Sequence, residues 1–111
     1  EIVGLSSLGG EPLDPFNQRG VYAIVDAAKE RYPNKTIWLY TGYTYEELQV
    51  MAEKNKWIKG LMELTDILID GRFIMEERDL TLLFRGSRNQ RVIDMNMTRS
   101  KGELIMAEKY Y

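Results

Sequence analysis

Three short apolar runs constrain this chain more than any other feature: "IVGLSSL" from Ile2, "TIWLYTG" from Thr36 and "DILIDGRF" from Asp66. Their starts lie 34 and 30 residues apart, which leaves room each time for a strand, a helix and two loops. The runs are nearly continuous and rich in Ile, Leu and Val, with little alternation. That pattern suits parallel strands covered on both faces. The expected fold is therefore α/β, a mostly parallel sheet with flanking helices. At 111 residues the chain is long enough for a single core.

Between the first two runs, Val21, Ile24, Val25 and Ala28 recur at helical spacing, with Asp14 as the expected N-cap and Pro15 at the first helical position. "RYPN" ends that helix. Thr44 and Glu47 have capping-box spacing and open a second helix, with Leu48, Met51 and Ala52 on its inner face. "WIKGLMEL" reads as a further short helix whose Trp57, Ile58, Leu61 and Met62 are packing residues. A fourth strand is expected near Val92–Met95, and residues 98–111 read as an irregular basic tail with a short edge strand.

Composition narrows the chemistry. Cysteine and histidine are both absent, which excludes disulfides, thiol nucleophiles, histidine bases and the usual zinc sites from this chain. No apolar run approaches the ~20 residues of a membrane span, and cytoplasm is the expected compartment. The net charge of −2 conceals an asymmetry. Residues 1–83 hold 9 basic and 14 acidic groups, whereas residues 84–111 hold 6 basic and 3 acidic.

In open parallel sheets, ligands bind at the carboxyl ends of the strands. The three strand ends here are "GGEP", "YTGY" and "DGRF", each with glycine beside a polar group. Glycine permits close approach of a ligand to the backbone, so a shared pocket is expected. Glu11 is placed to accept hydrogen bonds from a ligand ammonium. Thr41 and Tyr43 can bond a ribose or a base edge, or simply cap the following helix. Asp70 and Arg72 alternate along their strand, and a structural salt bridge involving Arg72 is the competing reading.

The segments "LSSLGGEPLDPFNQ", "IWLYTGYTYEEL", "TDILIDGRF" and "FRGSRNQRVIDM" resemble, in order and spacing, the anaerobic ribonucleoside-triphosphate reductase activating proteins, small radical S-adenosylmethionine enzymes. The resemblance runs from Gly4 to about Met97. "GGEP" is shared by many radical enzymes of this superfamily, whereas "DGRF" followed by "FRGSRNQR" is much more specific to the reductase activases. The resemblance implies a partial (β/α) barrel spanning residues 1–97, a four-iron, four-sulfur cluster and S-adenosylmethionine. Its cleavage would give a 5′-deoxyadenosyl radical that creates a glycyl radical on the large subunit of the reductase, with an electron donor as second partner. It also implies that Gly9, Gly10, Glu11 and Pro12 line the methionine moiety, that Thr41 and Gly42 lie beside the nucleoside, and that Asp70 and Arg72 form an acid–base pair near carboxylate and ribose. Related motifs commonly carry Lys at the last position, and Arg differs from it in geometry.

The family binds its cluster through a C-x-x-x-C-x-x-C loop, and this chain contains no cysteine. The expectation that follows is a C-terminal portion without the first strand and cluster loop, inactive as isolated and self-associating through the exposed edge of the strand at Ile2–Leu8. Two other functions compete: a pyruvate formate-lyase activating enzyme-like activase, and a non-catalytic module docking through Arg85, Arg88 and Arg91. Nucleic-acid binding through "RGSRNQR" lacks interleaved aromatics, and neither nucleic acid nor membrane is expected as a partner.

Overall fold

The structure is a computed structural model that describes the backbone of residues 2–5 and all of residues 11–111. Gly9 and Gly10 lie outside the described residues, as does most of the "LSSLGG" run. The three apolar runs form β1 (Ile2–Leu5), β2 (Thr36–Tyr40) and β3 (Ile67–Asp70), and Arg91–Asp94 forms β4. They make one sheet in the order β1-β2-β3-β4. The first two pairings are parallel and the third is antiparallel, so the sheet is mixed. The reversal has a physical cause. A parallel return requires a crossover, usually a helix, whereas residues 71–90 contain only a three-residue 3-10 turn at Met75–Glu77.

Side chains alternate across the sheet and divide the core in two. Ile37, Leu39, Leu68 and Ile93 point to one face, where they meet α1 (Gln18–Arg31) at Val25, α2 (Tyr45–Ala52) at Leu48, and α3 (Lys56–Leu64) at Ile58 and Leu61. Trp38, Ile67, Ile69 and Val92 point to the other, under Ala107, Phe84 and Tyr110. Helices therefore cover one face, and two irregular segments cover the second. Trp38 is held there by tilted or edge contacts with Phe84 and Tyr110, at 5.0 and 4.8 Å between ring centroids.

Local signals explain two of the helix starts. The Thr44–Glu47 capping box forms in full, and the Asn55 carboxamide accepts from the Trp57 and Ile58 N–H groups to start α3. The first helix departs from expectation. Asp14 is not its N-cap; the Asp14 carbonyl accepts from the Asn17 and Gln18 N–H groups, and the helix begins at Gln18. The reason is burial: Pro12 and Leu13 enter the core through a turn that a helix over these residues would straighten. Gln18 fixes this turn, donating to the Leu13 carbonyl and accepting from Asn55, the N-cap of α3. Ile24 lies on the outer side of α1, more than half exposed, because the buried face is centred on Val25.

Residues 98–111, set apart in sequence as a basic tail, pack onto the sheet. Asp94 caps α4 (Met95–Lys101), which ends at Gly102 in the left-handed conformation (φ 72°). The chain then runs beside β4, with an antiparallel bridge between Ile93 and Met106. Ala107 is buried there, and Tyr110 covers Trp38.

At the amino ends of β2 and β3, Asp66 accepts from the Ile37 N–H at 2.7 Å, Lys29 Nζ at 2.8 Å and Asn96 at 3.0 Å. Burial alone would raise the pKa of Asp66, but these donors outweigh it and the pKa is lowered. The associated stability is present above the ordinary aspartate range, about pH 4, and is lost as pH falls through the lower folded value. Asp66→Asn should cost about 1 kcal/mol at neutral pH and remove this component of acid sensitivity. Urea midpoints of both proteins at pH 7 and pH 3 check it.

Candidate functional site

β2 and β3 run parallel, so their carboxyl ends and the following loops lie at one end of the sheet. Glu11 reaches that end from the turn after β1. Its carboxylate accepts from the Thr41 hydroxyl at 2.8 Å, the Leu13 N–H at 2.8 Å and the Gly42 N–H. A Cβ at position 42 would stand 3.2 Å from Glu11 Oε1, so the bare glycine is what lets the carboxylate come this close. The short β2–α2 loop is thereby tied to the "EP" turn by one acid.

The end of β3 is fastened differently. Asp70 is buried, with 1% of its side chain exposed, and both its oxygens are occupied. Arg91 Nε donates to Oδ1 at 3.0 Å, while Arg91 Nη2 and the Tyr45 N–H donate to Oδ2. Arg91 then extends to Glu46 at the start of α2, with Nη2 2.7 Å from its carboxylate. Hydrogen bonds to Asp70 and then to Glu46 raise the Arg91 pKa, and the Arg91 hydrogen bond lowers that of Glu46. One planar fork therefore joins β3, β4 and α2.

The same pairing continues beyond the strands. Gln90 Nε2 donates to the Gly71 carbonyl, Asn89 Nδ2 donates to the Arg72 carbonyl, and Ser87 Oγ accepts from the Ile74 N–H. Gln90 Oε1 also accepts from the Gly86 and Ser87 N–H groups. "DGRF" and "RGSRNQR" are thus one physical unit, in which residues 87 and 89–91 brace residues 70–72 and 74. Gly71 turns the chain out of β3 at φ 93°, a conformation that L side chains rarely adopt.

These elements enclose a cleft of about 520 Å³, lined by Gly42, Thr44, Glu46 and Glu47 on one side and by Asp70–Arg72, Ile74, Asn89 and Arg91 on the other. That volume falls within the usual range for small-molecule sites. Two lining groups have unused capacity. The exposed Arg72 guanidinium pairs with no carboxylate among the described residues, and Asn89 Oδ1 is a buried acceptor without a partner.

Of the residues singled out in sequence, Gly42, Asp70 and Arg72 share this cleft, Glu11 and Thr41 are joined to it through the Gly42 N–H, and Pro12 is buried outside its lining. Asp70 pairs with Arg91 and not with Arg72. The three arginines proposed as one docking face are engaged differently. Arg91 is consumed by Asp70 and Glu46; Arg85 donates to the Gln90 carbonyl and stacks on Tyr111 at 4.3 Å; Arg88 is exposed. Asn89 and Arg91 line the cleft; sequence reasoning placed Arg91 in a docking segment and did not pair it with Asp70. The signal was present: an antiparallel β4 sets Arg91 opposite Asp70 in register.

Among the described residues no cluster of His, Cys, Asp and Glu could hold a metal ion, and no helix is long and apolar enough to cross a membrane. A braced polar cleft at parallel strand ends lies where open α/β sheets take their ligands. Residues 1–93 match the family model for a 4Fe-4S single cluster domain. The anaerobic ribonucleoside-triphosphate reductase-activating proteins of Vibrio cholerae and Haemophilus influenzae are 42% and 40% identical over 87 residues, 78% of this chain and 52% of theirs. That of Enterobacteria phage T4 is 37% identical over 93 residues, 82% of this chain and 53% of its own. The chain belongs to the 4Fe-4S single cluster domain family, and its curated relatives are named anaerobic ribonucleoside-triphosphate reductase-activating proteins. It spans about half the length of these curated relatives. No solved structure matches it.

Proposed function

We propose that this chain is the nucleotide-binding part of a radical S-adenosylmethionine activase acting on anaerobic ribonucleoside-triphosphate reductase, and that its mixed sheet is a portion of a partial (β/α) barrel. The observation that carries the reading is the convergence of Gly42, Asp70 and Arg72 on one cleft at one end of the sheet, with Glu11 bonded to Gly42.

The residues present fit S-adenosylmethionine in kind. Gly71 adds no side chain to the cleft, Arg72 supplies a free planar cation for a carboxylate, and the Asn89 acceptor is unsatisfied. Asp70 has both oxygens engaged within the chain, so its role is to hold the loops rather than to exchange a proton. When bound and reduced, S-adenosylmethionine supplies a carbon radical able to take hydrogen from a glycine of the partner reductase. The iron–sulfur cluster does not fit: its ligands are thiolates, the chain has no cysteine, and histidine, the alternative ligand, is also absent. By itself the chain binds the nucleotide and does not cleave it.

Equilibrium dialysis with labelled S-adenosylmethionine tests this. Wild type should bind, and Gly42→Val, which sets a side chain against Glu11, should bind about tenfold more weakly. Absence of binding at millimolar ligand would overturn the proposal. Self-association belongs to the same reading, since β1 pairs only with β2 among the described residues. Sedimentation equilibrium should find dimers or larger species, and a monomer at high concentration would remove that part.

A further inference from the structure

We propose that Tyr111 is a positioning residue for the cleft, acting through Arg85 and Gln90. It lies beyond the residues matched by the family model, which end at 93, and the inference rests on the proposed nucleotide site.

The geometry begins at the free side of β4. Residues 105–107 run beside that strand, with the Asp94 N–H bonded to the Ile105 carbonyl and the Ala107 N–H to the Val92 carbonyl. A strand continuing in this direction would next present a carbonyl to the Val92 N–H. The chain turns away instead, through the 3-10 turn at Glu108–Tyr110. The Tyr111 hydroxyl takes the vacant position and accepts from the Val92 N–H at 3.0 Å, while it donates to Met106 Sδ at 3.3 Å. A phenol thus stands in for a strand carbonyl and closes the sheet edge.

The ring of Tyr111 does a second job. It stacks under the Arg85 guanidinium at 4.3 Å, and Arg85 Nη1 donates to the Gln90 carbonyl at 2.9 Å. Gln90 in turn holds the Gly71 carbonyl at 3.0 Å, and its neighbour Arg91 holds Asp70. Arg85 is long and has several rotamers. Stacking confines its planar fork to the orientation that meets Gln90. Tyr111 therefore fixes the wall of the cleft without touching it.

The two functions separate by substitution. In Tyr111→Phe the ring remains and the hydroxyl is lost. Amide exchange at Val92 should accelerate at least tenfold, while the Gln90 side-chain amide resonance and S-adenosylmethionine affinity stay within twofold of wild type. In Tyr111→Ala the Gln90 resonance should also move or broaden, with affinity falling about fivefold. Arg85→Lys, which keeps the charge but loses the planar stack, should reproduce the cleft effect and leave Val92 protected. The proposal is overturned if the Gln90 and Gly71 signals are unmoved in both Tyr111→Ala and Arg85→Lys, or if Tyr111→Phe perturbs the cleft as much as Tyr111→Ala. If Tyr111→Ala does not fold, the Tyr111→Phe and Arg85→Lys comparison decides alone. The resonances report whether or not the nucleotide binds, so failure of the nucleotide site is distinguishable from failure of this inference.

Discussion

Arg91→Ala is expected to cost about 3–5 kcal/mol of folding stability, the range for leaving one partner of a buried ion pair uncompensated. Asp70 has 1% of its side chain exposed, and without the guanidinium it would retain only the Tyr45 N–H as a donor. Glu46→Ala should cost less than ~1 kcal/mol, because that carboxylate is 61% exposed and its share of the network is screened by water. Asp70→Asn should fall between them, since the amide still fills the site and Arg91 keeps Glu46. Urea unfolding of the three variants gives the order. An Arg91→Ala protein within about 1 kcal/mol of wild type would mean that the fork does not brace the strand ends.

Glu11→Ala should have the next largest effect, about 3 kcal/mol. Hydrogen bonds to a charged acceptor contribute roughly 1.5–3 kcal/mol each, and the three donors on Glu11 are not independent. The loss has two readouts. Stability falls because the Gly42 N–H and the Thr41 hydroxyl, in a largely buried setting, lose their acceptor. Nucleotide affinity falls because the β2–α2 loop is released from the turn after β1. Glu11→Gln keeps an acceptor for some of these donors and should recover part of both. If Glu11→Ala unfolds with the wild-type urea midpoint, the carboxylate is not the tie between the two loops.

These two residues also mark where the sequence was legible. Parallel strand spacing put "YTGY" and "DGRF" at neighbouring strand ends, because residue type and spacing are local information. The partner of Asp70 was less accessible. Arg72 is near in sequence, but Gly71 turns the chain out of β3 before it; Arg91 is 21 residues distant and is brought opposite by an antiparallel return. That return depends on the absence of a crossover helix in residues 71–90, a weak signal beside the strong apolar runs. The three arginines of "RGSRNQR" look like a basic surface when read as a string. Two of them are spent on Asp70, Glu46, Gln90 and Tyr111, which only long-range packing reveals. The start of α1 was missed for a related reason: Pro15 matches a helix start locally, yet burial of Leu13 requires a turn there.

The cleft at the carboxyl ends of β2 and β3 is most directly tested by amide chemical-shift mapping during titration with S-adenosylmethionine. Perturbations centred on Gly42, Gly71, Arg72 and Asn89, saturating together, are the expected result. Shifts confined to the groove of Met97 and Leu104–Lys109 on the far side of β4, or no shifts at millimolar nucleotide, would contradict it.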